Sequence, residues 1–171
     1  MVTDVVFHHV GITVSNLERA VDWYRTAFGL EPGLVIEVSG PNSGAILRMP
    51  EHVHKAALLP VGDFAIELLE FTPTRRQNDS RQDDVGYVYT CFKVDDLDAV
   101  YQRMSAAGYD FHTEPQLAEE GQIAGSKFCV MRDPDGKTIE FIEAGPGMEI
   151  SALHQAAKEG RSLDDPLVVH G

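Results

Sequence analysis

The stretch VVFHHVGITVSNLERAVDWYRTAFGL, residues 5–30, decides the architecture because it joins a β-rich run directly to an amphipathic helix. Residues 5–14 are rich in β-branched and aromatic side chains, which favour an extended strand. Ser15 or Asn16 is suited to cap a helix, and Gly29 is suited to end it. The stretch therefore predicts a strand followed by a helix.

The same pattern returns about 80 residues later in the chain. Residues 87–94 form a second β-rich run, Asp95 or Asp96 caps the next helix, and Gly108 ends it. Three further strand-like runs follow the helix in each half, and a turn containing Asp and Gly joins the last two. These runs are residues 33–39, 55–61 and 64–71, then residues 109–113, 127–132 and 138–143. We predict an α+β chain of two tandem β-α-β-β-β modules.

The repeat also predicts how the chain is divided. The first module covers residues 1–72 and the second covers residues 86–145. A polar linker at 73–85 separates them, and residues 146–171 form a C-terminal helix and tail.

Composition excludes several classes of partner. The 171 residues carry 14 Lys and Arg against 27 Asp and Glu, a net charge of −13, so nucleic acid and anionic membrane surfaces are not expected partners. No run approaches the roughly 20 apolar residues of a membrane span. The N-terminus does not resemble a signal peptide, and the two cysteines, Cys91 and Cys129, form no metal clip or disulfide scaffold. We expect a cytoplasmic protein.

Superimposing the halves aligns two pairs of polar residues. His9 corresponds to Tyr89 at a shift of 80 residues, and Glu67 corresponds to Glu140 at a shift of 73. Strand alternation sends His9 to the face opposite the one that packs under the helix. Each glutamate stands between apolar neighbours on its strand. A carboxylate that faces a sheet cavity is costly unless it is paired or binds a metal, so the two positions need a common explanation.

Four short motifs occur in a fixed order along the chain: HVGI at 9–12, FGL at 28–30, FKVDDL at 92–97, and DPDG at 133–136 followed by Ile139-Glu140. Together they resemble the vicinal oxygen chelate superfamily. That superfamily contains glyoxalase I, methylmalonyl-CoA epimerase, extradiol dioxygenases, and bleomycin and fosfomycin resistance proteins. The resemblance covers roughly residues 5–144 and implies modules that form a curved mixed sheet around a central cavity.

The resemblance also implies a metal site. In glyoxalase-like members the first and last strands of each module give one ligand apiece, which carries over to His9, Glu67, Tyr89 and Glu140. Tyr89 departs from the pattern, because a neutral tyrosine with a pKa near 10 is a poor ligand. We therefore expect His9, Glu67 and Glu140 to hold a divalent ion (Zn, Ni, Co, Mn or Fe(II)), with Tyr89 lining the pocket. A weakened or lost site is the alternative.

The expected activity is that of a glyoxalase-type lyase, an isomerase or an epimerase. Glu140 or Glu67 would move a proton beside the carbonyl of a small oxygenated substrate, with Tyr89 also in the site. An extradiol ring-cleaving dioxygenase is one alternative, although it needs two His ligands. A non-catalytic binding protein like the bleomycin resistance members is another. The resemblance further implies a homodimer, which a monomeric mass by light scattering would contradict.

Other residues are expected to have structural roles. Alternation should turn His8 to the outer face, away from His9. His52, His54 and His112 are expected to be solvated loop residues, and Cys91 a small packed thiol beside Tyr89.

Overall fold

The computed structural model describes residues 6–40, 46–49, 52–73, 85–121 and 123–159. The chain divides into two compact units, Met1–Asp79 and Ser80–Gly171. Most of the predicted linker, residues 74–84, and the tail from residue 160 lie outside the described residues. No helix in the described part of the chain is long and apolar enough to cross a membrane.

The first unit has the predicted β-α-β-β-β order. Its elements are β1 (His9–Thr13), α1 (Leu17–Phe28), β2 (Leu34–Ser39), β3 (Val53–Val61) and β4 (Phe64–Thr72). The strands form one sheet in the order β1-β4-β3-β2. The first and last strands, β1 and β4, are parallel neighbours, whereas the other pairs are antiparallel.

The second unit repeats this arrangement. Its elements are β5 (Tyr89–Lys93), α2 (Leu97–Ala106), β6 (Gln116–Leu117), β7 (Lys127–Arg132) and β8 (Thr138–Glu143), followed by a 3-10 turn (Pro146–Met148) and α3 (Ile150–Glu159). The sheet order is β5-β8-β7-β6, and β5 is again parallel to β8. The predicted pair of α+β modules is confirmed.

The predicted strand at 109–113 is wrong. This segment touches β7 only through an isolated bridge between Phe111 and Met131, and the sheet's fourth strand is β6, further along the chain. Two flanking hydrogen bonds, at Asp110 and His112, complete the contact with β7. The chain then bends, and Pro115, which has no N–H group, cannot extend the ladder.

The helices α1 and α2 are each capped by a residue far away in sequence as well as by their own N-cap. Asn16 caps α1 and Asp96 caps α2, which resolves the two predicted alternatives. In addition, Glu70 of β4 accepts a hydrogen bond from the backbone N–H of Leu17 at 2.6 Å. Glu143 of β8 does the same for Leu97 at 2.8 Å. The last strand of each module therefore fixes the first turn of its helix through a hydrogen bond.

The apolar core of each unit lies between its helix and one face of its sheet. Buried side chains of α1 meet Val14, Ile66 and Leu68 in the first unit. Buried side chains of α2 meet Ile139 and Phe141 in the second. Because strand residues alternate, the residues between these apolar positions point to the opposite face, which carries the candidate site.

Candidate functional site

The first unit brings two predicted site residues together on the helix-free face of its sheet. In the parallel pair of β1 and β4, His9 lies opposite Ala65 and Gly11 lies opposite Glu67. The Nε2 atom of His9 is 3.4 Å from Oε2 of Glu67. The side chains are 40% and 20% exposed, so solvent and a small solute reach both.

Gly11 keeps the space beside Glu67 open. A Cβ atom at this position would lie 3.7 Å from Oε2 of Glu67 and 3.2 Å from Cδ1 of Leu69. A methyl group here would be in ordinary contact with the carboxylate and in tight contact with the leucine side chain. A glycine at position 11 leaves the carboxylate approachable from the β1 side.

The His9–Glu67 pair fits two ligands of one divalent ion. Zinc-type ions bind imidazole nitrogen and carboxylate oxygen at about 2.0–2.2 Å, so donors 3.4 Å apart would subtend an angle of roughly 110° at a shared ion. No group of three or more His, Cys, Asp or Glu side chains suited to a metal ion occurs within the described ranges. The structure thus supplies a two-ligand pair from one module, and the wider ligand set with Glu140 stays a prediction.

His8 lies against His9, and the prediction that alternation separates them is wrong. The Nδ1 atoms of the two rings are 2.7 Å apart, and the ring planes are inclined at 81° to each other. His8 immediately precedes β1, and its backbone carbonyl accepts a hydrogen bond from the N–H of Ala65 in β4 at 3.0 Å. Its ring contacts Nδ1 of His9, whereas Nε2 of His9 faces Glu67.

The second unit places Tyr89, Cys91 and Glu140 on its own helix-free face. Cys91 lies directly opposite Glu140, and Tyr89 lies opposite Thr138. These pairings correspond to those of Gly11 with Glu67 and of His9 with Ala65. The shifts of 80 and 73 residues taken from the sequence therefore match the strand register of both modules.

The chemical setting of Glu140 differs from that of Glu67. The Cys91 thiol donates a hydrogen bond to Glu140, and desolvation, this bond and the carboxylate charge raise the pKa of Cys91 to about 12. The Glu140 charge, followed by burial and Cys91, also raises the pKa of Tyr89. Both groups are therefore protonated donors near Glu140 at neutral pH.

His52 and His54 form a buried pair, so the expectation of solvated loop residues is wrong for them. They are only 7% and 6% exposed, and Nε2 of His52 is 3.1 Å from Nδ1 of His54. His52 is fixed by the carbonyl of Met49, and Phe71 packs beside both rings. Burial, then the charge of His52, lowers the pKa of His54, whereas Glu67 opposes this shift. The sequence signal was the His-x-His spacing, which puts both rings on one side of an extended chain.

His112 is exposed, as expected for a loop residue, and its Nε2 accepts a hydrogen bond from Nε of Arg132 at 2.8 Å.

Comparisons with known proteins agree with this architecture. A sequence profile described as the Glyoxalase/Bleomycin resistance protein/Dioxygenase superfamily matches residues 6–141. A 2-epi-5-epi-valiolone epimerase from Actinomyces is 28% identical over 84% of this chain and 81% of its own length. Lactoylglutathione lyase GLX1 from Arabidopsis thaliana is 27% identical over 84% of this chain, which spans only 46% of that enzyme. A glyoxalase family protein from Bacillus cereus has the same fold, with a TM-score of 0.68, 22% identity, and coverage of 84% of this chain and 98% of its own.

Proposed function

The chain belongs to the Glyoxalase/Bleomycin resistance protein/Dioxygenase superfamily, and on that premise we propose that it is a metal-dependent lyase or isomerase. In the proposed reaction a proton is moved at the carbon next to a carbonyl group of a small oxygenated substrate. Relatives named as an epimerase and a lyase support an enzyme of this general kind.

The observation that carries the proposal is the His9–Glu67 pair on neighbouring strands. An imidazole nitrogen and a carboxylate oxygen 3.4 Å apart, open to solvent and beside a glycine, suit a hard or borderline divalent ion. Such an ion, when bound, polarises a substrate carbonyl and so makes the adjacent C–H bond more acidic. His9, through Nε2, and Glu67, through its carboxylate, would hold the ion.

Glu140 is the proposed proton carrier. It occupies the position in the second module that Glu67 occupies in the first. The Cys91 thiol donates to its carboxylate and orients it, while Tyr89, kept protonated by its raised pKa, supplies an O–H donor for a substrate oxygen. In this division of roles, Glu140 takes a proton from one position on the substrate and returns it to another, whereas inversion at a single carbon would need a second acid on the opposite face.

Elemental analysis of protein purified without added metal or chelator tests the metal proposal. Near-stoichiometric Zn, Ni, Co or Mn in the native protein, lost in His9→Ala and kept in the matched surface variant His154→Ala, is the expected result. Metal content unchanged in His9→Ala would exclude the His9 site. No binding of any of these ions, even after incubation, would leave the non-catalytic binding protein as the better interpretation.

Proton exchange tests the chemistry at a single carbon, whatever the complete reaction is. Lactoylglutathione and 2-epi-5-epi-valiolone, named by the relatives, are incubated with the metal-loaded protein in deuterium oxide and followed by NMR. We expect deuterium at the carbon next to the carbonyl of at least one of them, abolished in Glu140→Gln. Oxygen uptake with a catechol and an iron-loaded protein, without exchange, would instead indicate a dioxygenase.

A further inference from the structure

We infer that His8 is a positioning residue that fixes the tautomer of His9, so that Nε2 of His9 keeps its lone pair toward Glu67. This inference rests on the proposed function, because the lone pair is what a divalent cation requires. It assigns a role to an exposed imidazole outside the strand that carries the predicted ligand.

The contact between the two histidines requires one proton between them. Their Nδ1 atoms are 2.7 Å apart, a hydrogen-bond distance. The ring centroids are 5.0 Å apart, which is about the 2.7 Å Nδ1···Nδ1 distance plus the distance from each centroid to its Nδ1 atom. The hydrogen bond is therefore close to linear. One Nδ1 atom therefore carries hydrogen and the other accepts it.

The two possible arrangements have opposite consequences at Glu67. If His8 donates, a neutral His9 carries its hydrogen on Nε2 and directs it at the Glu67 carboxylate. If His9 donates from Nδ1, its Nε2 atom has no hydrogen and presents a lone pair to the same carboxylate. Only in the second arrangement can Nε2 of His9 bind a cation without first losing its hydrogen.

The separation of His9 from Glu67 favours the second arrangement. An N–H···O bond is typically 2.7–3.2 Å long, and a charged imidazolium–carboxylate bond is about 2.7–2.9 Å. The observed 3.4 Å is longer than both, as expected for two acceptor atoms that face the place of a cation. His8 then acts as the outer acceptor that metal-binding histidines commonly have, a part more often played by a carboxylate or a carbonyl.

Nitrogen-15 NMR of the imidazole rings, on metal-free protein labelled at histidine, tests the assignment independently of activity. We expect the native protein to show His9 with hydrogen on Nδ1. The same pattern is expected in His8→Asn, because the Asn side-chain oxygen branches from Cγ as Nδ1 does and also accepts. In His8→Ala, a mixture of the two tautomers is expected.

Cobalt binding measured by its visible absorption supplies the second readout. We expect an affinity roughly 10- to 100-fold weaker in His8→Ala, near-native affinity in His8→Asn, and no change in the control His154→Ala. A native His9 with hydrogen on Nε2, or a tautomer unchanged in His8→Ala, would overturn the inference even if cobalt binds. If the tautomers behave as expected and no ion binds, the proposed function fails while the role of His8 stands.

Discussion

Glu140 should make Cys91 an unreactive thiol, and replacing Glu140 should release it. The thiolate is the reactive form of cysteine, and its pKa determines how much of it is present. Desolvation and the contact with Glu140 raise the pKa of Cys91 from 9.0 to about 12, although the residue is exposed and not the packed thiol expected from the sequence. Two of the three causes, the hydrogen bond and the charge, come from the same carboxylate.

The expected magnitude follows from these two pKa values. At pH 8 a thiol with a pKa of 12 has about 900-fold less thiolate than one with a pKa of 9.0. The more basic thiolate is also the better nucleophile, which restores a factor of roughly 15 to 30. Cys91 should therefore react with a small aromatic disulfide roughly 30 to 60 times more slowly than an unperturbed thiol.

The assay follows the released aromatic thiol in a Cys129→Ala background, so that only Cys91 is counted. Glu140→Gln should speed the reaction several-fold, because the amide keeps the shape of the side chain but loses its charge. Glu67→Gln, the equivalent change in the first module, is the matched control and should have no effect. A native rate equal to that of a free thiol, or equal rates in both variants, would refute the link between Cys91 and Glu140.

Substitutions at four other residues test different parts of the structure. Glu70→Ala and Glu143→Ala should each lower the free energy of unfolding in urea by about 1 kcal/mol, because each removes the carboxylate that accepts a hydrogen bond from the first turn of a helix. An unchanged urea midpoint would contradict this role. The pKa of His54 is lowered in the folded protein, so the unfolded chain binds more protons at low pH. The free energy of unfolding should therefore fall as the pH drops below about 6.5, and it should fall less steeply in His54→Gln. Equal slopes in the two proteins would exclude the buried histidine as the cause. Gly11→Val should bind cobalt several-fold more weakly than Gly11→Ala, because the alanine methyl group lies at an ordinary contact distance of 3.7 Å from Glu67 and the valine adds atoms beside it; equal affinities in the two variants would show that the space is not needed.

Much of the fold could be predicted from the sequence because the repeat presents the same pattern twice, independently. Turn residues, helix caps and alternating apolar residues are local signals, and they indicated the element order in both modules. They also indicated the correspondence of Glu67 with Glu140, which the register of β4 and β8 reproduces. Prediction of β6 failed because Phe111 gives a strand-like signal although its segment forms only one bridge to the sheet.

The parts of the site that could not be predicted depend on contacts between distant or irregular segments. His8 immediately precedes β1, and its ring contacts that of His9 although its backbone carbonyl still pairs with β4. The burial of His52 depends on the Met49 carbonyl and the Phe71 ring, neither of which a periodic pattern reveals. Side-chain positions were therefore predicted well on regular strands and poorly at their ends.

The bond between Glu70 and the start of α1 has a consequence for the order of folding. It joins residues 53 positions apart, and the parallel pairing of β1 with β4 spans a similar length of chain. Contacts this distant form only after the intervening loop has closed, which makes them slow to form. The first module cannot complete its helix cap or bring Glu67 to His9 until its last strand is in place. During synthesis, the His9–Glu67 pair is therefore assembled only once β4 has left the ribosome, however early α1 and the hairpin of β2 and β3 form.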